Sequence, residues 1–227
     1  MADGSGTAEY LPGDPRFGLK GEALANYYRE KPQQWVITCW YKSGTEELRG
    51  TELAAQQRYV EGFGARRIGY GHFVSDDGAE TKATTFFMQL DGREAAEAFV
   101  ADEPLSKAGA YEKVTIQRWS NSFLKGQADY RRKGEQVWFM TGSKIDDYPS
   151  FGPKHLTAHE TYFRDHEDRF VFRGPIRSAD GVDNIGTALM IELPDRTAAQ
   201  AFWDNEPFAA NGGYKDDYRI YRWVFGD

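Results

Sequence analysis

The chain has 227 residues, in which 28 Lys and Arg stand against 35 Asp and Glu for a formal charge of −7. That balance speaks against a binder of nucleic-acid backbones, which needs a basic face. The single cysteine, Cys39, excludes an intrachain disulfide and a four-thiolate zinc site.

Hydrophobic residues make up 40% and aromatic residues 15%, enough for a packed core. No run approaches the ~18 apolar residues of a membrane helix. The opening residues lack the basic and apolar segments of a secretory signal, so the expectation is a soluble cytoplasmic protein. Residues 1–33, with Gly4, Gly6, Pro12, Gly13 and Pro15, read as a mobile or draped arm, with a short helix over 23–30 ahead of Pro32. The aromatic and β-branched run 35–41 predicts a strand, 51–62 a helix, and 66–74 a second strand. Ser75-Asp76-Asp77-Gly78 is a hairpin turn before a third strand, 81–90. An amphipathic helix over 93–101 and a strand over 113–119 follow.

Residues 121–135, rich in Lys, Arg, Gly and Gln, read as a surface linker. Beyond it the same order returns: strand 137–141, helix 153–164, strand 169–177, a turn at Ala179-Asp180-Gly181, strand 186–193, helix 196–203 and strand 217–225. The recurrence is an internal repeat. Glu103-Pro104 and Glu206-Pro207 lie 103 positions apart, and Trp35 and Trp138, Gly71 and Gly174, Gly109 and Gly212, and Tyr111 and Tyr214 keep that offset. It slips by one at the end, where Arg118-Trp119 answers Arg222-Trp223. The division is an arm (1–33), repeat 1 (34–120), the linker, and repeat 2 (136–227). Each repeat has the βαββαβ order of an α+β, ferredoxin-like unit with both helices on one sheet face. The other face needs a partner, and two such units packed sheet to sheet close toward an intrachain barrel.

Histidine is scarce: His72, His155, His159 and His166. His155 and His159 stand i, i+4 on one predicted helix, which leaves a two-histidine metal chelate open, without the Glu or third ligand of a zinc-protease motif. A second reading pairs His155 with Glu206, whose carboxylate fixes the imidazole tautomer and frees the other nitrogen to take a proton. The plainer role for Glu206 is a turn carboxylate held by backbone. Glu103 takes the same place in repeat 1, facing Glu52. Trp138 and other strand aromatics supply apolar walls or core, and Arg177, Arg173, Arg66 and Arg67 are either an anion clamp or solvent-facing edge charges. Cys39, inside an apolar strand, reads as inert. No Walker A, dinucleotide glycine fingerprint or nucleophile elbow is present.

These features together carry a resemblance: the opening strand at Trp35 or Trp138, the His155-Leu156 step, Gly174-Pro175, the turn Glu206-Pro207-Phe208 with Gly212-Gly213-Tyr214, and the closing strand ending in Trp. Each repeat resembles the YCII-related (YciI-like) family of the dimeric α/β-barrel superfamily. The resemblance implies a pocket in each unit with a His–Asp pair. The family His falls on His155 and the family Asp on Glu206, a longer carboxylate. Repeat 1 departs, with Glu52 at the His position and His72 where Pro175 stands in repeat 2, so His72 and Glu103 would form a different site if any. Relatives include lyases and dehydrochlorinases of aromatic degradation, lactone isomerases and monooxygenases.

The expected function is therefore a cofactor-independent lyase, isomerase or dehydrohalogenase acting on a small, aromatic-derived metabolite. In it His155 is the base and Glu206 its partner, with His72, Glu103, Glu52, His159, Arg177, Tyr214 and Trp138 in support. The partner is a small-molecule substrate, with no nucleic acid or membrane, and a homodimer left open. The alternatives are a non-catalytic ligand-binding or structural module, and a metal- or haem-dependent oxidative enzyme using His155 or His159 as a ligand.

Overall fold

A computed structural model of the chain describes residues 12–123 and 125–226, so residues 1–11 of the expected arm lie outside the described residues. The arm contributes helix α1 (Gly21–Glu30). Repeat 1 runs β1 (Gln34–Tyr41), α2 (Glu46–Glu61), β2 (Arg67–Val74), β3 (Thr81–Gln89), α3 (Arg93–Asp102), α4 (Pro104–Lys107) and β4 (Tyr111–Trp119). Repeat 2 runs β5 (Gln136–Ser143), α5 (Tyr148–Asp165), β6 (Phe170–Arg177), β7 (Asn184–Leu193), α6 (Arg196–Asn205), α7 (Pro207–Ala210) and β8 (Arg219–Phe225).

The eight strands form one closed barrel in the order β1-β3-β2-β8-β5-β7-β6-β4. Each repeat supplies one antiparallel sheet, and two seams join the sheets. At one, β2 pairs with β8 from Gly71 opposite Phe225 to Val74 opposite Arg222. At the other, Trp119 faces Ile176, and Ser120 N and Ser122 N donate to Pro175 O (3.1 Å) and Arg173 O (2.7 Å). The repeated glycines Gly71 and Gly174 sit at these seams. A Cβ on Gly174 would fall 1.8 Å from Ser120 O, and one on Gly71 would fall 2.3 Å from Val224 O. Only glycine lets the two backbones approach this closely.

The pleat sends alternate side chains to two destinations. Val36, Phe73, Phe87, Trp119, Val137, Phe139, Phe172 and Trp223 fill the barrel interior. Their strand neighbours Trp35, Ile37, Cys39 and Phe86 pack under the helices of repeat 1. Trp138, Met140, Leu189 and Ile191 do the same in repeat 2. Trp138 is thus fully buried core on the helix side. Burial pushes the Cys39 thiol well up, which keeps it protonated and inert.

Helix α5 begins at Tyr148, earlier than the predicted 153, and carries Pro153 inside its first turns. Pro149, in the first turn, costs little because the N–H groups there lack intrahelical partners, whereas Pro153 removes one intrahelical donor. The repeat offset slips because repeat 2 inserts a turn between Tyr214 and β8, leaving Tyr214 in an isolated bridge with Lys144. The linker is pinned: Lys133 N and Glu135 N donate to the buried Glu192 carboxylate, as does Tyr130 Oη. The described part of the arm is tied down too, at Tyr28. Arg177 lies over the Tyr28 ring at 4.0 Å, and Arg118 donates to the Tyr28 carbonyl.

Candidate active site

The Glu-Pro pairs become helix starts. Glu206 is the N-cap of α7, Pro207 follows it, and Gly212, with φ +76°, lies just past the C-terminal end. Pro is preorganised for the first helical position and Gly tolerates the left-handed conformation that stops a helix. The Glu206 carboxylate accepts from Phe208 N and Ala209 N, both at 3.0 Å. Glu103 repeats the device at α4, accepting from Ser106 N at 2.7 Å. Both glutamates are essentially fully buried. The backbone-held role is therefore real for both.

Glu206 does more. His159 Nδ1 donates to its Oε1 at 2.5 Å. A carboxylate only accepts, so the proton on this edge belongs to the imidazole, and Nε2 carries the lone pair of the neutral ring. No described group bonds Nε2. The ring stacks on Phe208 (centroids 4.0 Å, 5° between planes) and packs on Phe163 at 4.2 Å.

The pairing of His155 with Glu206 is corrected. Phe151, His155, His159 and Phe163 form one i, i+4 row along α5. The α6–α7 corner meets this row one turn beyond His155, whose ring instead stacks on Phe151 at 4.5 Å. The same turn displaces the partner in repeat 1. It is Gln56, not Glu52, that faces Glu103, with Gln56 Nε2 donating to Glu103 Oε1 at 2.8 Å. Gln56 Oε1 accepts from Tyr70 Oη at 2.8 Å, and Gln56 Nε2 also donates to Tyr111 Oη at 3.1 Å. Gln56 and His159 are themselves 103 positions apart.

His72 does not pair with Glu103. Its Nδ1 bonds Thr84 Oγ1 at 3.0 Å, and Tyr41 Oη bonds the same hydroxyl. Burial, aided by Arg49, pushes the His72 imidazole down to about 4. The two-histidine chelate is not assembled either: His159 is engaged by Glu206 and His155 by Phe151. No cluster of three His, Cys, Asp or Glu able to hold a metal occurs among the described residues.

Sequence reasoning passed over Lys144. It is buried at the end of β5, with Nζ 3.3 Å from the Tyr148 ring centroid and 5.1 Å from that of Phe208. Burial and the Arg177 guanidinium push its amine down to about 6, against the pull of Glu206. Burial beside Glu206 likewise raises the Tyr214 phenol, and Tyr148 follows. The repeat offset pairs Lys144 with Tyr41, and that exchange of lysine for an aromatic was the available signal. Arg177 lies against Tyr28 and donates to Val182 O, so it is a partly buried bridge between arm and barrel rather than a free edge charge.

Residues 143–224 match the model of the YCII-related domain. That match lies within repeat 2, in a chain whose eight strands close as one α/β barrel. No curated protein matches the sequence. Among solved structures, a mutant chlorite dismutase from Candidatus Nitrospira defluvii matches over 87% of this chain and 92% of its own, at 10% identity and TM-score 0.54. A heme-binding protein from Thermus thermophilus matches over 86% and 92%, at 11% identity and TM-score 0.53. A 5-chloro-2-hydroxyhydroquinone dehydrochlorinase from Burkholderia phenoliruptrix covers 39% of this chain and 95% of its own, at 20% identity and TM-score 0.37. At these identities the first two likenesses establish the barrel fold and leave the reaction open. No helix among the described residues is long and apolar enough to cross a membrane.

Proposed function

We propose that repeat 2 is a proton-transfer enzyme site in which His159 Nε2 is the base and Glu206 its positioning carboxylate. The carrying observation is the 2.5 Å bond from His159 Nδ1 to a buried carboxylate that two backbone N–H groups already hold in place. A base fixed in tautomer and orientation needs no cofactor to remove a proton from carbon or oxygen. Lys144, poised near neutrality and packed on the same Phe208, is the second group able to move a proton. Phe151, Phe163, Phe208 and Tyr148 give the surroundings an aromatic character that suits a small, flat, aromatic-derived substrate. The reaction class is a lyase, isomerase or dehydrohalogenase step.

The test is turnover over a panel of chlorinated hydroquinones and small unsaturated lactones, reading chloride release and solvent-deuterium incorporation by NMR. His155→Ala retains turnover, whereas His159→Gln loses at least about 100-fold, the lower end for a positioned base. Unchanged turnover in His159→Gln removes the assignment.

A second reading has one observation in its favour. An imidazole with a carboxylate behind Nδ1 and an open Nε2 is also a donor set that would hold a haem iron. His159 would hold the iron, Glu206 would tune it, and the haem would supply redox chemistry. An absorption band of bound haem in the purified protein selects this reading over the first.

A further inference from the structure

A cavity of about 540 Å³ lies away from His159 and Glu206, among the arm, the first strands of repeat 1 and the front half of the linker. Four cations line it, Arg16, Lys31, Arg67 and Lys125, against two carboxylates, Asp14 and Asp129. In a chain of charge −7 this is a local reversal of sign. Asp14 is committed to Arg16 at 2.6 Å, and Asp129 accepts from Gly126 N at 2.8 Å. No described carboxylate forms an ion pair with Lys31, Arg67 or Lys125.

Internal symmetry says what is missing. The matching end of repeat 2 is closed by Glu192, whose buried carboxylate accepts from Lys133 N, Glu135 N and Tyr130 Oη. The residue 103 positions earlier is Gln89, which lines the cavity. Repeat 1 thus has a neutral amide where repeat 2 has its own anion, and an open space with surplus cations where repeat 2 has packed linker.

We infer that this cavity binds a small organic anion, with a carboxylate or phosphate group, held by Lys31, Lys125 and Arg67 near Gln89. The volume lies in the range of small-ligand sites. Burial and the guanidinium groups of Arg177, Arg16 and Arg118 push the Lys31 amine down to about 8, with Asp14 pulling the other way. A bound anion relieves that crowding of positive charge. The inference does not depend on His159 being a base.

Calorimetric titration of the full chain at low salt, with inorganic phosphate in one arm and benzoate in the other, tests it. At least one of them binds with a Kd below about 1 mM, and Lys31→Gln weakens it about tenfold, roughly 1.4 kcal/mol. Lys125→Gln gives an independent reading should Lys31→Gln fold poorly. His159→Gln leaves binding unchanged. Binding of phosphate alone identifies a phosphate ligand, and of benzoate alone a carboxylate. No binding of either with a Kd below about 1 mM, or full affinity in both lysine variants, overturns the site. A loss in His159→Gln moves the ligand to the repeat 2 site and overturns it equally.

Discussion

The two repeats hold the same buried glutamate in the same corner and give it different company. In repeat 1, Glu103 meets the Gln56 amide, which passes its own acceptor to Tyr70 Oη. In repeat 2, Glu206 meets the His159 imidazole. The first corner is closed: each polar group has its partner, and the amide does not titrate. The second keeps the backbone-capping carboxylate but leaves one ring nitrogen available. The capping role is therefore the shared ground, and the imidazole, with the proton chemistry proposed for it, stands at that carboxylate in repeat 2 alone.

The comparison breaks most visibly at the glutamates. Glu206→Ala and Glu103→Ala each remove a helix cap and a charge-assisted side-chain bond, at a cost of about 3 kcal/mol. Urea denaturation should show losses of similar size in both; a much smaller loss for Glu206 would mean its capping role is not shared. Next comes His159→Gln, which rebuilds the repeat 1 chemistry in repeat 2. Its folding stability stays within about 1 kcal/mol while turnover falls about 100-fold, roughly 2.7 kcal/mol of transition-state stabilisation.

The reciprocal change, Gln56→His, removes the hydrogen bond from the Tyr70 hydroxyl to Gln56 Oε1 and costs about 1–2 kcal/mol, read from the shift of the urea midpoint. Another effect is pH-dependent. The His72 imidazole sits at about 4 in the fold against its ordinary 6.5, so the unfolded chain takes up the proton first. Its contribution is complete above about 6.5 and declines as the pH drops toward 4. His72→Gln flattens that stretch of the melting-temperature profile; Pro175, its counterpart in repeat 2, adds no such slope. Smallest is His155→Ala, which loses one ring stack on Phe151, about 0.5 kcal/mol, with turnover intact.

The architecture was legible because it is written twice. A fixed offset, the 2-residue and 3.6-residue periodicities and the Glu-Pro pairs are local signals, and they sufficed for the element order and the closing of two sheets. The choice between His155 and His159 was not local. Both stand in one row of α5, and only the height at which the α6–α7 corner meets that row selects between them. The same holds for Gln56 over Glu52. The capping helices after Glu103 and Glu206 were readable in principle from Glu-Pro and the following glycine, but at four residues they carry no periodicity. Lys144 was hidden by its type, since a lysine at a strand end ordinarily faces water. The cavity of the arm and linker has no repeat counterpart and left no pattern.

The seam at Gly174 has a consequence for dilution. Where two separate chains build such a barrel, lowering the protein concentration pulls the halves apart, because each half meets its partner by collision. Here the Ser120–Pro175 contact joins two parts of one polypeptide, and the partner's effective concentration is fixed by the 121–135 segment. The barrel should hold together at any dilution, and its thermal midpoint should not move with concentration.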